Sequence, residues 1–337
     1  MNENAKKLLI GSGIAVAAAA GAAAISGVLA GKLVKTALDR EPPKTNRKAE
    51  KRLAGSFGYD GRFDEYIAAA SEKLRESGCE RVEITAGDGV RLVGHLRRSE
   101  NAKRLIIAMH GWRSSWSYDF GGVSDFWHDN GCSVLYAEQR GQGESGGEYM
   151  GFGLIERYDC LDWVRWANEN GFSGLPVYLC GISMGASTVL MAAGLELPGN
   201  VCGIMADCGY TSPYAIWKHV VENNLHLLYG GIPSAVADDI CRRKIRMGAR
   251  EYSCTDAMRE CKVPVLFVHG TDDRFVPVEM TYENYKACAS PKRLVIVPGA
   301  GHGMSYLVDK EACQRAHLEF WRDFDGCAPE AGREGEY

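Results

Sequence analysis

The stretch from Val177 to Leu190 constrains this chain more than any other. It reads as an apolar strand (Val177-Tyr-Leu-Cys180), a serine flanked by glycines (Gly181-Ile-Ser183-Met-Gly185) and an apolar helix that follows at once. A chain that turns straight from a buried strand into a helix folds back on itself so tightly that side chains must be absent beside the turn, and Gly181 and Gly185 meet that need. Such a turn lifts the Ser183 hydroxyl above the strand end and aims the following N–H groups at the same point. The pentapeptide also arises by chance in chains of this glycine and serine content, so its weight rests on partners elsewhere.

Those partners lie in a regular alternation of elements. Arg81–Thr85 and Val90–Leu96 alternate about the turn Gly87-Asp-Gly89 and predict a β-hairpin. Helices are expected over Phe63–Glu76, Ile155–Asn168 and Asp309–Phe320. Short apolar strands end in His110-Gly-Trp112, Glu138-Gln-Arg140, Asp207-Cys-Gly-Tyr210, His269-Gly270 and Pro298-Gly-Ala-Gly-His302. Alternation of this kind predicts an α/β fold, a mostly parallel central sheet with helices on both faces, with ligands at the carboxyl ends of the strands. The motifs cluster at those ends.

A serine hydroxyl is a poor nucleophile until a base takes its proton and a third group orients the base. After Ser183, the strand-end acid followed by a strand-end histidine is the pair Asp272/Asp273, then His302 between two glycines. His110 and His269 precede glycine at strand ends and read as turn-shaping residues. His95, His128, His219, His226 and His317 fall in hairpin or helix patterns and read as structural.

Composition narrows the function classes. The 337 residues are 46% hydrophobic and 24% charged, ordinary for a folded core, and the net charge of −4 gives no reason to expect a nucleic-acid partner. The twelve cysteines form no C-x-x-C pair, so a zinc ribbon is not expected. Several, Cys180 and Cys202 among them, fall in apolar runs where a thiol acts as a small core residue, and such usage leans toward a reducing compartment. The histidines lack H-E-x-x-H or other ligand spacing, and neither a metal nor a cofactor is expected.

The N-terminus raises a separate question. Lys6 and Lys7 precede 24 uncharged residues from Leu8 to Gly31, long enough to cross a bilayer as a helix. The favoured expectation is a single transmembrane helix that makes the protein membrane-associated. A cleaved signal and an Ala-rich amphipathic or soluble helix stay open beside it. The basic residues after the span and the cysteine usage favour a cytoplasmic domain, whereas the standard orientation of an N-terminal anchor puts it outside. The domain expectation is therefore a hydrophobic segment at 1–35, a linker with Pro42-Pro43 at 36–58, a folded domain at 59–325 and a disordered Gly/Glu-rich tail at 326–337. Residues 210–262 read as a helical cap. Its Tyr214, Trp217, Leu225, Leu227 and Leu228 read as an apolar lid whose aromatics are expected to contribute to the substrate pocket, and its Arg242-Arg-Lys-Ile-Arg246 reads as a solvated basic face.

Taken together, His110-Gly-Trp112, Arg140-Gly-Gln-Gly143, Gly181-Ile-Ser-Met-Gly185, His269-Gly-Thr-Asp-Asp273-Arg-Phe-Val-Pro277 and Gly301-His-Gly303 resemble the α/β-hydrolase superfamily. More narrowly, the chain is similar over about residues 60–322 to bacterial serine hydrolases of the serine aminopeptidase and bile-acid acyltransferase-like branches. The resemblance implies the α/β-hydrolase fold with a small cap, and a triad of Ser183, Asp273 and His302. Asp207 is the runner-up acid, because some members carry theirs at that strand end. It further implies an oxyanion hole made by the backbone N–H groups of Trp112 and Met184. The activity so implied is a serine hydrolase cleaving small acyl esters, lipid-like ones being an option given the apolar N-terminus. An aminopeptidase, amidase or thioesterase with the same residues is the alternative, and a non-enzymatic scaffold is disfavoured.

Overall fold

The strand expectations carry over closely. In a computed structural model, which describes residue 28, residues 30–41 and residues 61–327, the apolar runs become β1 (Glu80–Thr85), β2 (Arg91–Arg97), β3 (Arg104–Met109), β4 (Cys132–Glu138), β5 (Val177–Ile182), β6 (Val201–Asp207), β7 (Val265–Gly270) and β8 (Lys292–Val297). They form one sheet in the order β1-β2-β4-β3-β5-β6-β7-β8. The hairpin strand β2 runs antiparallel to β1 and β4, and β3 through β8 are parallel. β3, β4 and β7 are buried along their whole length, as strands covered on both faces must be, and this is why they read as continuous apolar runs. β1 alternates between buried and exposed residues because it is an edge strand.

Helices cover both faces. On one, Phe120 and Trp127 from the helix Trp116–Asp129 pack with Phe320 and Trp321 from the last long helix, Lys310–Phe324. On the other, Trp163 and Val164 from Glu156–Ala167 join Val189 and Leu190 from Met184–Ala192. The segment 210–262 is helical, with helices at Pro213–His219, Ile232–Ile245 and Cys254–Glu260. Its basic run behaves as a solvated helix face: Arg242 pairs with Asp238, and Arg243 with Asp239. Cys202, expected as an unpaired core residue, is buried but disulfide-bonded to Cys327. The other ten cysteines are free.

The expectation of a membrane-spanning segment is corrected. Most of Leu8–Gly31 lies outside the described residues, and among the described residues no helix is long and apolar enough to cross a membrane. The last residues of that stretch belong to a helix at 30–38 that packs on the folded domain. Ala30, Val34 and Leu38, spaced four apart on one helical face, are all buried. The helix passes into Asp39, which bridges to Tyr149, and Lys244 pairs with Asp39 at 2.7 Å. The boundary expected at residue 35 thus falls inside this helix. The rest of the expected linker and nearly all of the expected tail lie outside the described residues.

Candidate active site

Ser183 stands between β5 and the helix Met184–Ala192 with φ 57° and ψ −115°, a backbone that non-glycine residues rarely hold unless the surroundings impose it. The two glycines are what impose it. A Cβ on Gly181 would run into the Gly185 backbone, and one on Gly185 into the Met109 and His110 carbonyls. The Ser183 N–H donates to the Asp207 carbonyl at 2.9 Å, which ties the turn to the end of β6.

The loop after β8 brings His302 to this serine. The Ser183 hydroxyl donates to His302 Nε2 across 2.8 Å, and His302 Nδ1–H donates to Asp273 Oδ2 across 2.7 Å. Asp273 sits on the loop after β7, its side chain fully buried. Its Oδ1 accepts the N–H groups of Phe275 and Val276 at 2.9 and 2.8 Å. Its Oδ2 also accepts from His269 Nε2–H at 3.1 Å. That proton is shared with the Val276 carbonyl at 2.9 Å, while Thr281 donates its hydroxyl to His269 Nδ1 at 2.7 Å. Burial works against the Asp273 carboxylate, but the charge of His302 and the hydrogen bonds of His269 and His302 outweigh it and hold its pKa far below the usual range. His302 mirrors this. Burial pushes its pKa down, yet Asp273, with Asp207 and Asp119 beyond, brings it out above its ordinary value. Burial drives Asp207 up to about 6, against the pull of His269, the Ser305 hydroxyl and His302.

The loop after β3 faces the serine from the other side. Asp119 holds it: Gly111 N–H donates to Oδ2 at 2.6 Å and the Ser114 hydroxyl to Oδ1 at 2.5 Å. Gln142 Oε1 accepts the Arg113 N–H. Between these anchors the Trp112 N–H has no protein acceptor, and neither does the Met184 N–H at the start of its helix, among the described residues. The helix 30–38 props the loop from behind. Trp112 Nε1–H donates to the Ala37 carbonyl at 2.9 Å, and the Arg113 guanidinium donates to the carbonyls of Thr36, Asp39 and Arg40 at the end of that helix.

A cavity of about 690 Å³ opens at Ser183 and His302. It runs back along the sheet past Ile182 to Cys180 on β5 and past Ala206 to Met205 on β6. Its outer walls are Phe120, Val123 and Trp127 on one helix and Cys313 and His317 on the last. No residue of the cap lines it, which corrects the expectation that cap aromatics build the pocket. Trp217 and Leu225 border a separate cavity of about 90 Å³ against Leu33, Val34 and Ala37 of the N-terminal helix. The cap closes on that helix instead of on the site.

Among the described residues, two clusters bring potential metal-binding atoms within 4.8 Å of one another: Cys208 with Asp273 and His302, and His95 with Glu138 and Glu144. In the first, both His302 nitrogens are already hydrogen-bonded. In the second, Glu138 accepts from His95 and from the Glu144 N–H, and Glu144 pairs with Arg81.

The structure thus joins Ser183, His302 and Asp273, and leaves Asp272 exposed and bonded to the Thr271 hydroxyl. His110 shapes its turn as expected, its Nδ1–H donating to the Gly111 carbonyl at 2.8 Å. Sequence reasoning missed His269, taken for a turn residue, although it stands four places before the acid at a strand end. It did not single out Asp119, which anchors the loop after β3.

Comparison with known proteins fits this geometry. The family described as serine aminopeptidase, S33, matches residues 100–228. The uncharacterised protein YqkD of Bacillus subtilis is 31% identical over 197 residues, which cover 57% of this chain and 63% of YqkD. Among solved structures, the Pyrococcus furiosus esterase Pf2001 superposes with a TM-score of 0.59 at 22% identity, covering 74% of this chain and 92% of its own. Est1E of Butyrivibrio proteoclasticus, solved with ferulic acid, gives 0.57 at 22% identity over 72% of this chain and 98% of its own. At such identities the structural likeness is one of fold. With the sheet order, the strand–serine–helix turn and the matched segment in agreement, the chain has the α/β-hydrolase fold.

Proposed function

We propose that the protein is a serine hydrolase that cleaves carboxylic esters through an acyl-enzyme, with Ser183 as nucleophile, His302 as base and Asp273 as the orienting acid. The observation that carries this reading is the unbroken hydrogen-bond chain from the Ser183 hydroxyl through His302 to the buried Asp273. As Ser183 Oγ attacks the ester carbonyl carbon, its proton passes to His302 Nε2. Asp273 keeps Nδ1 protonated and stabilises the imidazolium that forms. The carbonyl oxygen becomes an oxyanion, which the free N–H groups of Trp112 and Met184 receive. Fixed donors of this kind are worth on the order of 3–4 kcal/mol each. His302 then gives its proton to the departing alkoxide, takes one from water as the water oxygen attacks the acyl carbon, and returns that proton to Ser183 Oγ as the Oγ–acyl bond breaks and the acid leaves.

The esterase neighbours favour esters as substrates. The match to serine aminopeptidases over residues 100–228 keeps a second reading in view, in which the same residues cleave an aminoacyl amide. A fluorophosphonate probe is expected to label the wild type and leave Ser183→Ala unlabelled. Equal labelling of both would remove Ser183 from the mechanism. Nitrophenyl esters assayed beside aminoacyl anilides divide the two readings, and turnover of the anilides alone would reverse the choice.

A further inference from the structure

The helical wall of the Ser183 cavity contains a polar group that the hydrolytic chemistry does not use. His317 lies seven residues beyond Lys310, where the last long helix begins, so it sits roughly 10 Å down that helix from the site end. It is 8% exposed and lines the same cavity as Ser183. Its ring lies in an aromatic cage, with Phe126 and Trp321 at centroid distances of 6.1 and 5.6 Å. Trp127 Nε1–H donates to His317 Nδ1 at 3.3 Å. Because Nδ1 accepts, the neutral ring carries its proton on Nε2. Burial lowers the His317 pKa to about 4, so the ring is neutral at ordinary pH. Among the described residues, Nε2–H has no protein acceptor.

This nitrogen is not sealed in the core, so it stays free to donate to water or to a ligand that enters the cavity His317 lines. The neighbouring cavity walls, Phe120, Val123, Trp127, Met205 and Cys313, present mainly apolar surface. An apolar acyl body therefore fits along the sheet, with one hydrogen-bond acceptor at its far end. A carboxylate there would be a buried charge facing a neutral ring, with no cation to pair it.

Resting on the ester-hydrolase reading above, we infer that the Ser183 cavity selects acyl groups whose distal end bears an uncharged hydrogen-bond acceptor, a hydroxyl or carbonyl, bound by His317 Nε2–H. This assigns His317 a role in acyl specificity.

The test is a series of nitrophenyl esters of C6 to C12 acids, each plain, ω-hydroxylated or ω-carboxylated, with nitrophenyl acetate as reference. At one chain length the hydroxylated ester is expected to exceed the plain one about tenfold or more in kcat/KM, as one well-placed hydrogen bond allows. The carboxylated ester is expected to be the poorest of the three. In His317→Phe, which suits the aromatic cage, the hydroxyl-to-plain ratio falls to about one. In His317→Gln, which keeps an N–H donor, part of the ratio survives. A wild type that shows no preference at any length overturns the inference, as does a preference that His317→Phe retains. If His317→Phe does not fold, the wild-type series and His317→Gln still decide. Loss of all ester turnover, acetate included, together with no fluorophosphonate labelling, is a different result and overturns the parent reading instead.

Discussion

Two aspartates flank His302, and they are held in opposite ways. Asp273 and Asp207 both sit at carboxyl ends of adjacent strands, Asp273 buried and Asp207 half-buried, and both raise the His302 pKa. Asp273 accepts from Phe275, Val276, His302 and His269, so each oxygen has two donors. The Asp207 carboxylate accepts from the Ser305 hydroxyl at 2.9 Å. Burial alone disfavours a carboxylate, whereas hydrogen bonds to the charged form restore it. Asp207 is the more exposed of the two, so burial does not explain the contrast and the difference in donors decides: Asp273 is held as an anion, and Asp207 is pushed up to about 6. In the proposed mechanism the orienting acid must stay charged while the imidazolium forms, and the donors around Asp273 favour it over Asp207 for that role. Asp207 serves the site mainly through its backbone carbonyl, which holds the Ser183 N–H.

The largest effect that this contrast predicts is on turnover. Asp273→Asn keeps the acceptor for the Phe275 and Val276 N–H groups, so the loop survives. It loses the charge and the tautomer control, and kcat is expected to fall on the order of 10⁴-fold. Asp207→Asn is expected to stay within about tenfold of the wild type, since a fraction of a buried charge interaction is at stake and not the proton transfer itself. Steady-state kinetics on the two variants, with circular dichroism to check folding, reads the contrast directly. A greater loss in Asp207→Asn would make it the orienting acid.

His269 gives a smaller effect of two kinds. It donates to Asp273 Oδ2 and to the Val276 carbonyl and accepts from Thr281, so His269→Phe leaves buried polar groups unpaired at about 1–3 kcal/mol. It also removes one donor from the oxygen that faces His302. With that oxygen's charge less shared, the His302 pKa rises and the acid limb of the kcat/KM profile moves to higher pH. A lower melting temperature with the limb unmoved would reduce His269 to a structural residue.

Which of these features the sequence announces follows from how local their physics is. Ser183 and its glycines are legible because one sharp turn imposes them, and His302 because the hydrolase order leaves little choice. The partner network of Asp273 is less so. His269 reads as a turn residue because nothing in the chain tells where a strand-end imidazole points. The cavity was not legible at all. It arises where the helix Trp116–Asp129 leaves room against Lys310–Phe324, a matter of packing between elements nearly two hundred residues apart. The helix 30–38 was misread for a related reason. An apolar face made of Ala30, Val34 and Leu38 has the same hydropathy whether it meets lipid or the cap, and only the tertiary structure distinguishes them.

The smallest effect, on pH dependence, tests the contrast most finely. His302 must be neutral to accept the Ser183 proton, so kcat/KM falls as pH drops through the pKa of His302 in the free enzyme. That pKa lies above the ordinary 6.5, and the charge of Asp207 is among its causes. Asp207 titrates at about 6, so it is mostly ionised where His302 changes charge. Asp207→Asn removes that negative charge, destabilises the imidazolium, and moves the acid limb to lower pH. Asp273→Asn, measured on its residual activity, is expected to move the limb further in the same direction, because the stronger partner is lost. A limb that does not move in Asp207→Asn would mean that Asp207 stays protonated throughout. The two aspartates would then differ in charge over the whole working range, and Asp273 would be the dominant anion acting on His302.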